Sequence, residues 1–153
     1  MRISPEIQIM STIKEGAVFY FIEDSFKSKQ PHYFVVLNPK PLIDPKLLLA
    51  VAVTLDIKAI ERIERLPFPI ETYVTVTKDE CAFLKWPSLF NCNSVFERDL
   101  SILINKLENN SLKMLGYVDS GVLLRLRMAV LKSPVVTRNI KKIIQLGITP
   151  PLL

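Results

Sequence analysis

The sequence predicts an α+β fold, a small and strongly bent antiparallel barrel followed by C-terminal helices. Three observations carry this. First, His32 to Thr54 holds two apolar runs, residues 33–37 and 47–53, that are short, nearly free of charge and rich in β-branched and aromatic side chains, as expected of strands covered on both faces. Second, Pro39, Pro41 and Pro45 lie between them, removing ladder donors and fixing φ, so the two runs must turn back on each other as a hairpin. Third, beyond residue 95 the apolar period lengthens from two to the three-and-four spacing of helices.

The elements follow in order. After a polar start, residues 16–23 (Gly-Ala-Val-Phe-Tyr-Phe-Ile-Glu) form an aromatic first strand, and residues 24–31 a polar loop carrying Lys27 and Lys29 and ending at Pro31. After the hairpin, Ile57, Ile60 and Ile63 recur at threes among charges, which predicts one or two helical turns over 56–65, stopped by Pro67 and Pro69. Residues 70–77 alternate as a half-exposed strand, and residues 82–86 and 88–95 read as two more strands around Pro87. Ser94 and Glu97 have capping-box spacing, and Leu100, Leu103, Ile104 and Leu107 make a helical stripe, so a helix is expected over 97–108, ended by Asn109 and Asn110. Residues 112–118 add a last strand in which Gly116 permits a bulge. Asp119 or Ser120 then caps a helix with Val122, Leu123, Leu126 and Val130 inward, and Ser133-Pro134 interrupts it. Thr137 opens a final helix with Ile140, Ile143 and Ile144 inward, Arg138, Lys141, Lys142 and Gln145 outward, and Gly147 at its end.

Composition narrows the function classes. With 153 residues, 49% hydrophobic and 23% charged, the chain fits a single domain over 1–153, mostly β over 16–95 and mostly helical over 96–148. No run approaches the roughly 20 apolar residues that span a bilayer, and an acidic residue and a proline stand where a signal peptide has its apolar core. A cytoplasmic location away from the membrane is expected. Two cysteines, Cys81 and Cys92, and a single histidine leave too few ligands for a structural zinc site, so no metal or other cofactor is expected; free thiols are favoured over a disulfide. The net charge of +5 favours a polyanion, and no acidic residue follows Asp119. The basic face of the last helix serves either as a solvated surface or as a binding surface.

The order of a first strand, a basic loop, a strand ending Val35-Val36-Leu37, a turn, a second apolar strand ending at Thr54, and Pro-rich polar sequence leading to Ile70-Glu71-Thr72-Tyr73-Val74 resembles the PemK/MazF-like toxin family over roughly residues 16–95. That family's strand reads Arg-Pro-Ala-Val-Val-Leu; here the register gives His32-Tyr33-Phe34-Val35-Val36-Leu37, with His32 in the arginine's place, while the family's threonine at the end of the next strand corresponds to Thr54. The loop before His32 lacks the family's glycines, and Lys85-Trp86-Pro87-Ser88-Leu89 resembles the stretch leading into the family's following strand. The resemblance implies an SH3-like barrel, commonly a homodimer, with endoribonuclease activity and a cognate antitoxin.

Cleaving RNA without a metal requires a group that takes the 2′-hydroxyl proton, one that protonates the leaving oxygen, and donors for the phosphorane's charge. On this reading His32 and Thr54 are the catalytic pair at the barrel mouth, with an imidazole able to move protons near neutral pH. Lys27, Lys29, Tyr33, Lys85, Trp86 and Ser88 would bind single-stranded RNA, the cations at phosphates and the rings under bases. A lone histidine at a strand start also serves as a structural residue, and a strand-end threonine as a backbone hydrogen-bonding group. The competing class is a non-catalytic barrel that holds nucleic acid or a protein partner through its basic C-terminal helices.

Overall fold

The computed structural model describes residues 3–148. In chain order these form α1 (Pro5–Thr12), β1 (Ala17–Phe21), β2 (His32–Val36), β3 (Leu47–Thr54), α2 (Ile57–Arg65), a 3-10 turn (Ile70–Thr72), β4 (Tyr73–Val76), β5 (Ser88–Asn91), β6 (Phe96–Arg98), α3 (Leu100–Glu108), β7 (Leu112–Tyr117), α4 (Ser120–Leu131) and α5 (Arg138–Ile148). The fold is α+β, with one antiparallel sheet in the order β4-β5-β3-β2-β1-β7. The β2–β3 hairpin expected from the prolines sits at its centre, with Tyr33 opposite Ala52 and Val36 opposite Leu49.

The sheet bends without closing. β3 has two partners along one edge: Leu47–Leu49 pair with β6, and Ala52–Thr54 with β5. At the ends of the path, β4 and β7 do not pair with each other.

Strand alternation explains why β1 to β3 are apolar throughout. One face sends Val18, Val35, Leu48, Ala50 and Ala52 into a cluster with Leu126, Val130, Ile140 and Ile144 of α4 and α5. The other sends Phe19, Phe21, Phe34, Val36, Leu47 and Leu49 into a cluster with Ile9 of α1 and Leu103 of α3. Both faces are therefore roofed by helices, so neither can be polar. Phe21 and Phe34 stack with centroids 4.2 Å apart.

Several elements differ from the sequence expectation, each for a local reason. The polar start is α1: the Ser4 hydroxyl accepts from the Ile7 amide at 3.2 Å, Pro5 occupies the first turn, and Ile9 is buried. Residues 82–86 turn instead of forming a strand. Residues 70–72 are a 3-10 turn, so the alternating strand begins at Tyr73, with Val74 and Val76 buried and Thr75 exposed. The capping box is not used, because Phe96–Arg98 pair with β3 and the helix waits until Leu100. Asp99, at the cap position, turns its carboxylate to Lys46 at 2.6 Å. α5 runs through Gly147 to Ile148. Asp119 caps α4, its carboxylate accepting from the Val122 amide at 2.8 Å, and Asn110 ends α3 with φ of 56°. Cys81 and Cys92 are free and buried, and burial pushes the Cys92 thiol up to about 12.

Two features carry predictions. At Gly116 the register between β1 and β7 shifts and φ is +142°; a Cβ there would lie 2.4 Å from Cζ of Phe83. Gly116→Ala should cost about 1–3 kcal/mol in urea denaturation, since backbone strain and the ring contact add. Glu23, 7% exposed, accepts from Arg98 at 2.9 Å and from the Ser25 hydroxyl at 2.7 Å, tying the end of β1 to β6. Burial alone would raise its carboxyl, but the hydrogen bonds from Arg98 and Ser25 and the Arg98 charge together lower it from 4.5 to about 2. A depressed carboxyl stabilises the fold above its unfolded value and loses that contribution as protons return. The urea midpoint should therefore fall between about pH 5 and pH 2, and Glu23→Gln should flatten that fall.

Candidate functional site

The sheet face carrying Val18, Val35, Ala52 and Phe90 continues past its helical cover, and the next inward positions along the strands are Tyr20, Tyr33, Thr54 and Ser88. Register brings them together: Tyr20 lies opposite Tyr33, Tyr33 opposite Ala52, and Thr54 opposite Ser88. With Gln30, Pro31, Lys85 and Trp86 they line a groove of about 310 Å³.

The loop before β5 forms one wall. The Leu55 amide donates to the Pro87 carbonyl at 2.9 Å, and the buried Ser88 hydroxyl donates to the Trp86 carbonyl at 3.0 Å, which fixes the loop against the end of β3. Trp86 is left 63% exposed and Lys85 exposed, so an indole and an ammonium stand at the opening. The Tyr20 and Tyr33 rings are 4.7 Å apart and tilted by 43°. Burial first, and then the Tyr20 and Cys81 charges, push the Tyr33 phenol up against the opposing pull of the Lys85 amide. Tyr33 is thus a neutral proton donor at ordinary pH. Among the described residues, the lining contains no carboxylate to repel an anion.

Six of the eight residues expected from sequence line this groove: His32, Tyr33, Thr54, Lys85, Trp86 and Ser88. Their side chains do not all enter it. His32 alternates with Phe34 and meets the opposite face, where its ring packs edge-on against Phe26 at 5.2 Å and its buried Nδ1 has no hydrogen-bond partner among the described residues. Thr54 alternates with Ala52 and faces the groove. The imidazole and the hydroxyl therefore do not converge as expected: they sit on neighbouring strands but on opposite faces. Lys27 and Lys29 are outside the lining, and the Lys29 ammonium donates to the Asp24 and Phe26 carbonyls at 3.0 and 3.3 Å, holding its own loop. The Ser88 hydroxyl is engaged by Trp86, which leaves it a wall residue. Tyr20 and Gln30 were not anticipated; the signal for Tyr20 is the hairpin register, which sets it across from Tyr33.

Among the described residues no three His, Cys, Asp or Glu side chains come together to hold a metal ion, and no helix is long and apolar enough to cross a membrane. No family model matches this chain, and no curated protein matches it by sequence. Among solved structures it is similar to an endoribonuclease in complex with its cognate antitoxin from a mycobacterial species, with a TM-score of 0.50 and 10% identity, covering 78% of this chain and 92% of that one. At that identity the likeness shows a shared fold, spanning nearly the whole of the neighbour.

Proposed function

We propose that this chain is the toxin component of a toxin–antitoxin pair, PemK/MazF-like, an endoribonuclease that cleaves single-stranded RNA in the groove of Tyr20, Tyr33, Thr54, Lys85 and Trp86. The observation that carries this reading is the groove's chemistry: rings, hydroxyls and an ammonium converge on one hollow with no carboxylate among its lining. An unpaired base stacks on Trp86 or the tyrosines, and its phosphate meets Lys85. The likeness to an endoribonuclease supports the same reading at the level of the fold.

The reaction follows from the groups present. The 2′-oxygen attacks phosphorus, forming the new P–O2′ bond as the P–O5′ bond breaks; its proton leaves to water. Lys85 and the Thr54 hydroxyl stabilise the charge on the phosphorane oxygens. The Tyr33 phenol donates its proton to the departing O5′ and recovers one from water. His32, packed on Phe26, holds the strand end that carries Tyr33. A cognate antitoxin and a homodimer belong to this reading, and light scattering on the purified chain reports the second.

The test is purified protein with an unstructured RNA oligonucleotide, with and without EDTA. Cleavage to fragments ending in a 2′,3′-cyclic phosphate and a 5′-hydroxyl is expected under both conditions. Intact RNA throughout would overturn the reading.

A further inference from the structure

α4 and α5 enclose a second, shallower groove of about 580 Å³ lined by Leu131, Val136, Arg138, Lys141, Lys142 and Gln145. It shares no lining residue with the Thr54 groove. We infer that this groove docks an acidic, amphipathic segment of a partner protein. The inference rests on the partner half of the proposed function and not on RNA cleavage.

Charge is the first argument. Of the six cations beyond Asp119, Arg125 pairs with Glu80 and the buried Arg127 with Glu15, which leaves Lys132, Arg138, Lys141 and Lys142 in a stretch with no acidic residue of its own. Arg138 and Lys142 are exposed and make no ion pair among the described residues. Lys141 is held, its ammonium donating to the Ser133 carbonyl at 2.5 Å, which fixes one cation at the groove wall before any partner arrives. Carboxylates are the complement to this surface.

Shape and apolar content decide between two polyanions. The lining includes Leu131 and Val136; next to Val136 in the chain stands Val135, 54% exposed, and one turn beyond Lys142 on α5 stands Leu146, 70% exposed. No aromatic ring lines it. Single-stranded RNA holds to proteins by stacking bases on rings as well as by its phosphates, and this surface offers only the second. A helix with leucines on one face and glutamates beside them satisfies both the aliphatic floor and the cationic rim.

The experiment uses the full chain and a fluorescent synthetic helical peptide with leucines on one face and glutamates on the other. Anisotropy should show saturable binding that weakens as salt is raised. Arg138→Glu with Lys142→Glu should lower affinity by about tenfold or more, the loss of two charge contacts and their replacement by repulsion. Leu146→Asn should weaken it separately, and a peptide with lysines for glutamates should not bind. All three positions are exposed, so circular dichroism melts should match wild type. Absence of saturable binding, or binding unchanged in the double variant, overturns the inference; so does single-stranded RNA whose binding is lost in the double variant while peptide binding is not. RNA cleavage is scored separately: peptide binding without cleavage leaves this inference standing and removes the nuclease, and the converse removes only this surface.

Discussion

Arg127→Ala is expected to destabilise the fold by about 2–4 kcal/mol, from the lost charged hydrogen bonds and the void left in the interior. Arg127 sits on α4 and is 3% exposed, yet it carries a charge. Its Nε donates to the Leu37 carbonyl at 3.0 Å, and Nη1 reaches both the Glu15 carboxylate and the Gly147 carbonyl at 3.4 Å. One guanidinium thus joins the end of β2, the loop before β1 and the last turn of α5. Burial pulls its pKa down while Glu15 pulls it back up, so the ion is retained in a poorly solvated place. Gly147 belongs to the same device: a Cβ there would lie 2.6 Å from the guanidinium carbon, so the helix approaches this closely only with glycine. Alanine would take the donor from Leu37 and leave a void between α4 and α5. Arg127→Met should recover part of the loss by filling that void without restoring the hydrogen bonds. Urea denaturation of the two variants checks this, and a loss below about 1 kcal/mol for alanine would show that the guanidinium is dispensable.

Legibility in the sequence divides along the same physical line. The β2–β3 hairpin, β1, α4 and α5 were readable because burial on one or both faces writes a period or an unbroken apolar run, and Asp119 writes its cap. α1 was missed although Ser4 and Pro5 spell a helix start, since only Ile9 within it is buried and the apolar stripe is weak. The failed capping box at Ser94 shows local chemistry overruled by tertiary pairing: β3 has an open edge at Leu47–Leu49, and Phe96–Arg98 fill it. For the site, residue types were readable and directions were not. Which face a strand residue meets depends on register, and one residue separates His32, which packs on Phe26, from Tyr33, which enters the groove.

That one-residue difference sets the sharpest functional prediction. Thr54→Val and Lys85→Ala should each lower kcat/KM for RNA cleavage by about 10²-fold, the usual effect of removing one stabiliser of transition-state charge. Tyr33→Phe should lower it by about 10-fold or more through loss of the proton donor. His32→Ala should lower it by less than about fivefold, because a ring packed against Phe26 on the far face touches neither phosphate nor sugar. The pH profile checks the donor independently. With Tyr33 as donor, its raised pKa places the alkaline decline above the ordinary range of a phenol. A loss at His32 equal to that at Thr54 would mean that the ring leaves Phe26 and turns into the groove when RNA binds, and the proton acceptor would then be His32 in place of water.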